Sequence, residues 1–335
     1  MIRFHHGPEA IALEAGDLWT SAPRGPTYRD TSAAELQSIV RDVEGGTPWR
    51  EAVARRYAGS HPWLHRIVTS PSRDLFFRQH PPSADAQILD VGAGWGQISL
   101  PLARRGLVTA LEPTPERLTF IRAAAVQEEV ARRIHFVQAD FFDVEFVTKF
   151  DLVTCIGVLE WVPKFRPGNP REIQIDFLRR VRSLLKPGGH LVIGIENRLG
   201  LKYLLGAPDD HIGVAGVAVY DAEIASRKWL AYNGQILRSF TFTHAELEQL
   251  LTEAGFRCRQ FFAALPDYKL PERIVPLDPP GALDKFFLER NFVSEHDGST
   301  GLPLSNQDEL RSHYHSLAQL GISDAFAPSY FITTS

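Results

Sequence analysis

The feature that most constrains the fold is an alternation of short apolar runs with amphipathic helical segments between residues 83 and 263. Each apolar run has the length of a buried strand, and each helical segment carries its apolar residues on one stripe. Chains with this pattern place helices on both faces of a parallel sheet. We therefore predict an α/β fold with a doubly wound, mostly parallel seven-stranded sheet. Its strands are expected at residues 88–91, 108–111, 134–137, 151–156, 190–195, 258–263 and 330–334.

The N-terminal part of the chain departs from this alternation. Residues 1–30 contain scattered Gly and Pro, which predicts an extended arm, and residues 32–80 have the apolar spacing of a small helical cap. We therefore divide the chain into an arm and helical cap at 1–82 and a core at 83–335.

The C-terminal part contains two long stretches that do not fit the alternation, at residues 198–242 and 265–328. Long excursions in a compact α/β domain are usually binding loops or lids, so we interpret them as substrate-side insertions. The β-branched and aromatic run at 330–334 predicts a final strand that is antiparallel to its neighbours.

Composition and charge exclude several classes of protein. The 335 residues are 44% hydrophobic and 23% charged, which is typical of globular proteins and excludes wholesale disorder. The net charge of −4 offers no basic surface for a phosphate backbone, so we expect no nucleic-acid partner. Cys155 and Cys258 lack the spacing of a zinc site or a disulfide framework. Without a secretory signal or an apolar segment of about 18 residues, we expect a cytoplasmic protein that is not inserted in a membrane.

A glycine loop follows the first strand of the core. The segment Asp90-Val91-Gly92-Ala93-Gly94-Trp95-Gly96 stands where this strand turns into its helix. Glycines let a ligand approach backbone N–H groups, and a helix N-terminus favours a negative group. Glu112 ends the next strand, 20 positions beyond Gly92, where a carboxylate can accept hydrogen bonds from ribose hydroxyls. The loop, the strand and the acid together predict a cofactor that contains a nucleoside.

A nicotinamide dinucleotide is the alternative cofactor, and it would make the protein an NAD-dependent oxidoreductase. Its loop has the pattern G-x-G-x-x-G, which requires a glycine at position 97. That position is Gln97, and the third glycine comes one residue early, at Gly96. The loop therefore favours a nucleoside that carries an amino acid over one that carries a pyrophosphate.

Several motifs carry a family resemblance over roughly residues 85–263. They are Ile88 to Gly96, Glu112, Ala139-Asp140-Phe141, Phe150 to Val162 and Leu185 to Ile195. Together they resemble a class I S-adenosylmethionine-dependent methyltransferase with its Rossmann-like fold. The resemblance implies S-adenosyl-L-methionine as the cofactor.

The resemblance also implies which residues bind this cofactor. The three glycines would pass beneath its methionine part, Glu112 would bind its ribose, Asp140 and Phe141 would face its adenine, and Gly157 would lie near the sulfonium. Arg73, just before the core, is a candidate for the cofactor carboxylate, with a surface salt bridge as the alternative. The expected cofactor-binding residues are Arg73, Asp90, Gly92, Gly94, Gly96, Glu112, Asp140, Phe141 and Gly157.

A narrower similarity concerns the acceptor. It rests on Gly157 to Trp161, on Ile195 to Tyr203 with Ala207 to His211, and on Pro266 to Pro271. These blocks resemble bacterial methyltransferases found alongside sugar-transfer and cell-surface polysaccharide enzymes, which implies a small molecule or a saccharide as the acceptor. A noncatalytic partner subunit with the same fold is the alternative from a different class, and the intact loop with Glu112 argues against it.

Methyl transfer from a sulfonium is an in-line displacement, so the site must hold donor and acceptor together and exclude water. A base is needed only where the acceptor must lose a proton. His211 is the first candidate because the unperturbed pKa of histidine lies near neutrality, and Glu160 and Tyr268 are further catalytic candidates. For Asp209-Asp210-His211 a solvated turn is the alternative. Trp161 stands where many relatives have histidine, and it predicts an aromatic wall near a cationic methyl donor.

His61 and His65 have the i, i+4 spacing of metal ligands on a helix. No acid or cysteine nearby completes a ligand set, and Pro62 disturbs the helix. The sequence therefore predicts no metal site, and it leaves the oligomeric state and the methylated atom open.

Overall fold

The structure is a computed structural model that describes residues 1–21, 25, 27–290 and 307–335. The chain divides into two compact units. The first, called unit 1 here, comprises Met1–Cys155 and Ser183–Leu191. The second, called unit 2, comprises Ile156–Arg182 and Val192–Ser335.

Unit 1 contains the parallel strands. Eight strands lie in it, apart from the last residue of the eighth: β1 (Ile2–His6), β2 (Glu9–Leu13), β3 (Leu18–Thr20), β4 (Gln87–Val91), β5 (Leu107–Leu111), β6 (Ile134–Gln138), β7 (Val144–Phe146) and β8 (Phe150–Ile156). The order β8-β4-β5-β6-β3 runs through the central sheet, and each neighbouring pair is parallel. Ile88, Val108 and Phe136 are fully buried on these strands, as expected for a sheet covered on both faces. Because the strands share one direction, β4, β5 and β6 end at the same edge.

The first twenty residues form strands where the sequence predicts an extended arm. β1 pairs in antiparallel fashion with both β2 and β7, and β3 joins the sheet beside β6. Ile2 and Phe4 alternate into the core. The prediction is wrong because Gly7 and Pro8 make the tight turn of a hairpin and do not interrupt an unpacked segment.

Residues 32–80 are largely helical, as their apolar spacing predicts, and that these helices form a cap stays a prediction. The helices that begin in unit 1 are α1 (Ala33–Glu44), α2 (Trp49–Tyr57), α3 (Pro62–Thr69), α4 (Leu75–Gln79), α5 (Ser99–Ala103) and α6 (Pro115–Gln127). Ser32 and Glu35 form a capping box at the start of α1. The apolar stripe of α1 is buried as the spacing predicts, with Leu36, Ile39 and Val43 in the core.

Unit 2 contains the antiparallel strands of the central sheet and the described parts of both excursions. Its elements are α7 (Pro170–Leu184), β9 (Leu185–Glu196), α8 (Leu201–Leu204), α9 (Ala222–Asn233), α10 (His244–Glu253), β10 (Arg259–Leu265), β11 (Arg273–Pro276), α11 (Ala282–Glu289), α12 (Gln307–Gln319) and β12 (Ser329–Thr334). Both α7 and β9 also include residues of unit 1. The strand order is β11-β10-β12-β9. The C-terminal strand β12 is antiparallel to β10 and lies between β10 and β9, as predicted.

The α/β fold with a mostly parallel sheet and an antiparallel C-terminal strand is confirmed, but the sheet has nine strands among the described residues. All seven predicted strands are present, and the additional strands β3 and β11 stand at the two ends of the strand order. The division into a cap at 1–82 and a core at 83–335 stays a prediction. Within the described part of the chain, no helix is both long and apolar enough to cross a membrane.

Candidate functional site

The glycine loop joins β4 to α5 in unit 1. Gly92, Gly94 and Gly96 have φ angles of +68°, +58° and +81°, a region that favours glycine. The N–H of Gly92 donates to the carbonyl of Leu111 at 2.9 Å, which holds the loop against the end of β5. A Cβ on Gly96 would meet Ile121 at 3.2 Å, whereas the nearest atom beyond the chain neighbours of a Cβ on Gly94 would be 3.6 Å away. The loop therefore packs tightly at Gly96, whereas a Cβ at Gly94 would be in ordinary van der Waals contact.

The side chain of Glu112 binds this loop directly. Its Oε2 accepts a hydrogen bond from the N–H of Gly94, and its Oε1 accepts one from the N–H of Thr114, both at 2.9 Å. The residue is only 2% exposed. A carboxylate oxygen has two lone pairs, so each oxygen keeps an acceptor position for a ribose hydroxyl. Glu112 thus braces the loop and still offers the acceptor that the sequence predicts.

Two residues from distant parts of the chain support Glu112, and sequence reasoning missed them. Arg117 Nη1 lies 3.9 Å from Glu112 Oε1, and Arg117 Nη2 lies 2.7 Å from Asp30 Oδ1. Asp30 Oδ2 in turn accepts a hydrogen bond from the indole N–H of Trp95, within the glycine loop, at 3.0 Å. Burial disfavours the charge of Arg117, but the carboxylates of Glu112 and Asp30 outweigh burial and raise its pKa. Asp30 and Arg117 therefore fix the loop and Glu112 relative to each other.

Asp90 is held by two hydroxyl groups at the end of β4, and its contact with the cofactor stays a prediction. Its Oδ2 accepts a hydrogen bond from the Ser99 hydroxyl at 2.5 Å, and its Oδ1 accepts one from the Thr154 hydroxyl at 2.7 Å. Burial raises the pKa of Asp90 to about 6, although both hydroxyls and the charge of Arg73 lower it. Arg73, on the 3-10 turn Pro71–Asp74, therefore acts electrostatically on the base of the loop.

Asp140 and Phe141 follow β6 at the edge where β4 and β5 also end. Asp140 Oδ1 accepts a hydrogen bond from the N–H of Phe142 at 2.8 Å and caps the 3-10 turn Phe141–Asp143. Phe141 is buried. The structure thus brings the glycine loop, Glu112 and Asp140 to the ends of three adjacent strands. A partly exposed glycine, Gly94, beside a buried acid fits a nucleoside cofactor, and the individual contacts to it stay predictions.

Gly157 and Tyr268 approach each other closely in unit 2. Gly157 has a φ of +72°, and a Cβ on it would stand 2.8 Å from the Tyr268 hydroxyl oxygen. The N–H of Gly157 donates to the Gly194 carbonyl at 2.9 Å, and the N–H of Tyr268 donates to the Ser329 hydroxyl at 2.8 Å. Burial raises the pKa of Tyr268 well above its usual value, so its side chain is a neutral hydroxyl.

His211 is buried among three carboxylates, which excludes the solvated turn. Its Nδ1 lies 3.4 Å from Asp209 Oδ1, and its Nε2 lies 3.6 Å from Glu196 Oε2 and 3.7 Å from Glu160 Oε1. Burial would lower the pKa of His211, but the charge of Glu196, with Asp209 and Glu160, raises it to about 10. The expectation of a near-neutral pKa is therefore wrong, because sequence alone did not reveal that the imidazole faces Glu196 and Glu160.

Glu160 and Glu196 carry buried oxygens that no neighbour satisfies. Both side chains are 0% exposed. Among the described residues, both oxygens of Glu160 and Oε2 of Glu196 lack a hydrogen-bond partner. Oε1 of Glu196 accepts a hydrogen bond from the ammonium of Lys269. A buried acceptor without a donor costs free energy. These oxygens therefore mark a place where a ligand can supply donors or positive charge.

A neighbouring set of acids is neutralised by two lysines to which the sequence assigned no role. Lys202 Nζ lies 2.7 Å from Asp210 Oδ2 and 3.6 Å from Asp267 Oδ2, and Lys269 Nζ lies 3.8 Å from each of these oxygens. The hydroxyl of Tyr203 also donates to Asp210 at 2.5 Å. The only signal in the sequence was a mixture of acids and bases at 209–211 and 266–269, inside otherwise apolar surroundings.

Trp161 lies against His211, with ring centroids 4.9 Å apart and an edge-to-face angle of 62°. Lys164 Nζ lies 4.2 Å from the Trp161 ring centroid, as in a cation–π contact. An aromatic wall therefore exists beside His211. That it faces a methyl donor stays a prediction.

Comparison with known proteins agrees with the fold and with the cofactor edge of unit 1. A methyltransferase domain family matches residues 89–193. A ubiquinone biosynthesis O-methyltransferase of Hydrogenovibrio crunogenus is 31% identical over 217 residues, which cover 63% of this chain and 80% of that protein. The fold and the loop with its acid define an α/β protein that binds a nucleoside cofactor. Together with this relative, they show that the chain belongs to the class I S-adenosylmethionine-dependent methyltransferases.

The family assignment confirms the predicted enzyme class and S-adenosyl-L-methionine as the cofactor. Other relatives with the same name match over a shorter part of their length. The relative from Aeromonas salmonicida is 31% identical, and the match covers 46% of this chain and 63% of that protein. The relative from Xanthomonas axonopodis is 35% identical, and the match covers 42% of this chain and 55% of that protein.

Solved structures of methyltransferases are also similar to this chain. The CcbJ methyltransferase of Streptomyces caelestis has a TM-score of 0.46 at 18% identity, covering 73% of this chain and 94% of that one. Phosphoethanolamine N-methyltransferase 2 of Haemonchus contortus, in complex with S-adenosyl-L-methionine, has a TM-score of 0.42 at 14% identity, covering 88% and 59%.

Proposed function

We propose that this enzyme methylates a hydroxyl group of a small molecule or a saccharide. We assign cofactor binding to the glycine loop and Glu112 of unit 1, and acceptor binding to the buried polar cluster of unit 2. The names of the curated relatives, which are O-methyltransferases of ubiquinone biosynthesis, support oxygen as the methylated atom. The resemblance to methyltransferases found with polysaccharide enzymes supports a saccharide. The cytoplasm remains the expected location.

The observation that carries this proposal is the set of unsatisfied carboxylate oxygens on Glu160 and Glu196. An ionised carboxylate can only accept hydrogen bonds, so its natural ligand is a group that donates them. A hydroxyl donates one hydrogen bond and keeps lone pairs free. A hydroxyl that donates to Glu160 would therefore be oriented by the protein while its oxygen remains available for reaction.

The bound cofactor supplies an electrophilic methyl group on its sulfonium. The residues of unit 2 would orient the acceptor and exclude water, which is where most of the acceleration of such a displacement can come from. Lys269 fixes Glu196, and Asp209 fixes His211, so the groups around Glu160 are held before the acceptor arrives. Tyr268 would add a neutral hydroxyl.

Mass spectrometry of candidate acceptors tests this proposal. The protein is incubated with cofactor whose transferred methyl group is deuterated, together with libraries of phenols, sugar nucleotides and oligosaccharides. We expect one acceptor class to gain the labelled methyl group, and Glu160→Gln to lose this activity while its cofactor affinity is unchanged. The matched control is Glu253→Gln, because Glu253 is a surface acid paired with Arg171. A protein that binds the cofactor but labels none of the classes would favour the noncatalytic partner subunit.

A further inference from the structure

The ligand atoms of Glu160, Glu196 and His211 face one another in unit 2, and the space between them is called the gap here. Each contributes one ligand atom, and these atoms all lie within 4.8 Å of one another. The His211 Nε2 is 3.6 Å from Glu196 Oε2 and 3.7 Å from Glu160 Oε1, which is too far for a direct hydrogen bond. The two carboxylates are fully buried, and the oxygens that face the gap lack hydrogen-bond partners.

These distances match the spacing of donor atoms around a metal ion. Bonds from Zn²⁺ to imidazole nitrogen or carboxylate oxygen are about 2.0–2.2 Å long. Two such bonds that meet at about 120° place their donor atoms about 3.6 Å apart. The separations of 3.6 and 3.7 Å therefore suit one small cation between His211 and each carboxylate, and the carboxylate atoms lie within 4.8 Å of each other.

The groups behind these three side chains are arranged as they are behind metal ligands. Asp209 Oδ1 lies 3.4 Å from His211 Nδ1, the ring nitrogen that faces away from the gap, and is itself held by the N–H groups of His211 and Ile212. Lys269 occupies Oε1 of Glu196 and leaves Oε2 free. Asp209 would thus orient the imidazole of His211, and Lys269 would orient the carboxylate of Glu196, as hydrogen-bonded groups behind metal ligands do.

The neighbouring acidic group provides an internal comparison. Glu196, Asp210 and Asp267 also lie close enough together to hold an ion. That group already contains the ammonium groups of Lys202 and Lys269. No ammonium group among the described residues lies beside Glu160; the cation there is the His211 imidazolium, whose Nε2 a bound ion would contact in place of its proton.

We propose that Glu160, Glu196 and His211 form a binding site for a divalent metal ion. Two carboxylates and one imidazole suit ions such as Mn²⁺ and Zn²⁺, which accept both oxygen and nitrogen ligands. With three protein ligands, the ion keeps coordination positions open. In a role that rests on the proposed function, the ion holds and polarises the hydroxyl oxygen of the acceptor. The sequence predicted no metal site, and the present proposal departs from that prediction with three ligands from separate segments of the chain.

Titration with Mn²⁺ alone tests this site without the cofactor or an acceptor. The full chain is stripped with a chelator and desalted, and free Mn²⁺ is measured by electron paramagnetic resonance. We expect one ion per chain, and at least about tenfold weaker binding in Glu160→Gln, since even groups behind a ligand contribute that much. Glu253→Gln, the surface control, should bind as the wild type does. His211→Gln should weaken Mn²⁺ binding as much as Glu160→Gln does. If His211→Gln does not fold, Glu196→Gln is measured in its place.

Wild-type binding no tighter than that of Glu160→Gln would overturn the metal site, as would equal weakening in Glu253→Gln. Thermal melts of each variant establish that it is folded. If the chelated enzyme transfers methyl groups and Mn²⁺ does not bind, the metal site is wrong and the proposed function stands. If Mn²⁺ binds as expected and no acceptor class is methylated, the metal site stands and the proposed function is wrong.

Discussion

Replacement of Asp90 by asparagine should change how the stability of the chain depends on pH. Burial raises the pKa of this carboxyl from 3.8 to about 6 in the folded state, against hydrogen bonds from Ser99 and Thr154. The folded protein therefore binds this proton more tightly than the unfolded chain does, so stability falls as the pH rises from about 4 to about 6. One pKa unit corresponds to about 1.4 kcal/mol, so Asp90 should lower the free energy of unfolding by about 3 kcal/mol over this range. An asparagine side chain cannot titrate, and the variant should lack this loss.

Chemical denaturation of wild type and Asp90→Asn at pH 4, 5, 6 and 7, followed by circular dichroism, measures this effect. The unfolding free energy of Asp90→Asn minus that of wild type should rise by about 3 kcal/mol between pH 4 and 7. Asp151→Asn is the matched control, because Lys186 and the N–H of Gln87, against burial, lower the pKa of Asp151. Because its pKa lies below the unfolded value of 3.8, the stability that Asp151 contributes is lost only below about pH 4, so the difference between this variant and wild type should stay nearly constant from pH 4 to 7. Parallel pH curves for wild type and Asp90→Asn would refute the reasoning.

Three further substitutions probe the two units. Gly94→Val should abolish cofactor binding in a folded protein, because a β-branched side chain is strained at a φ of +58° and fills the space beside the loop backbone. Unchanged affinity in calorimetry would show that the cofactor does not bind at this loop. Glu112→Ala should weaken cofactor binding by about 1.5 to 3 kcal/mol, the range for hydrogen bonds to charged groups, and an unchanged dissociation constant would reject the ribose assignment. Gly157→Ala should lower the melting temperature because its Cβ would stand 2.8 Å from the Tyr268 hydroxyl, and Tyr268→Phe in the same chain should restore part of the loss. A Gly157→Ala melt identical to wild type would contradict that contact.

The strands were predictable where their apolar runs are long enough to be distinguished from loops. β4, β5, β6 and β8 are continuous apolar segments followed by helices, and their burial agrees with the pattern. β3 and β11 were missed because they have three and four residues and partly exposed side chains. Such edge strands depend on the neighbour they pair with, and a sequence pattern carries little information about that neighbour.

The cofactor edge was predictable because its parts follow strands at a regular spacing. Gly94 and Glu112 lie on consecutive strand ends, and the structure joins them by a hydrogen bond. The supports of the site come from far along the chain: Asp30 is 65 positions from Trp95, and Lys269 is 73 positions from Glu196. Contacts of this kind leave no local pattern.

The electrostatics of unit 2 were not predictable for the same reason. The pKa of His211 depends on burial and on carboxylates from three segments, at residues 160, 196 and 209. The residue type suggested a titratable group near neutrality, and only the fold shows which charges surround it.

Calorimetric titration of the wild-type chain with S-adenosyl-L-methionine, beside an identical titration with NAD⁺, tests the central claim most directly. The glycine loop, with Gln97 where a dinucleotide loop requires glycine and Glu112 bonded to Gly94, predicts one S-adenosyl-L-methionine per chain and no binding of NAD⁺. Binding of NAD⁺ with no binding of S-adenosyl-L-methionine would contradict the account of unit 1.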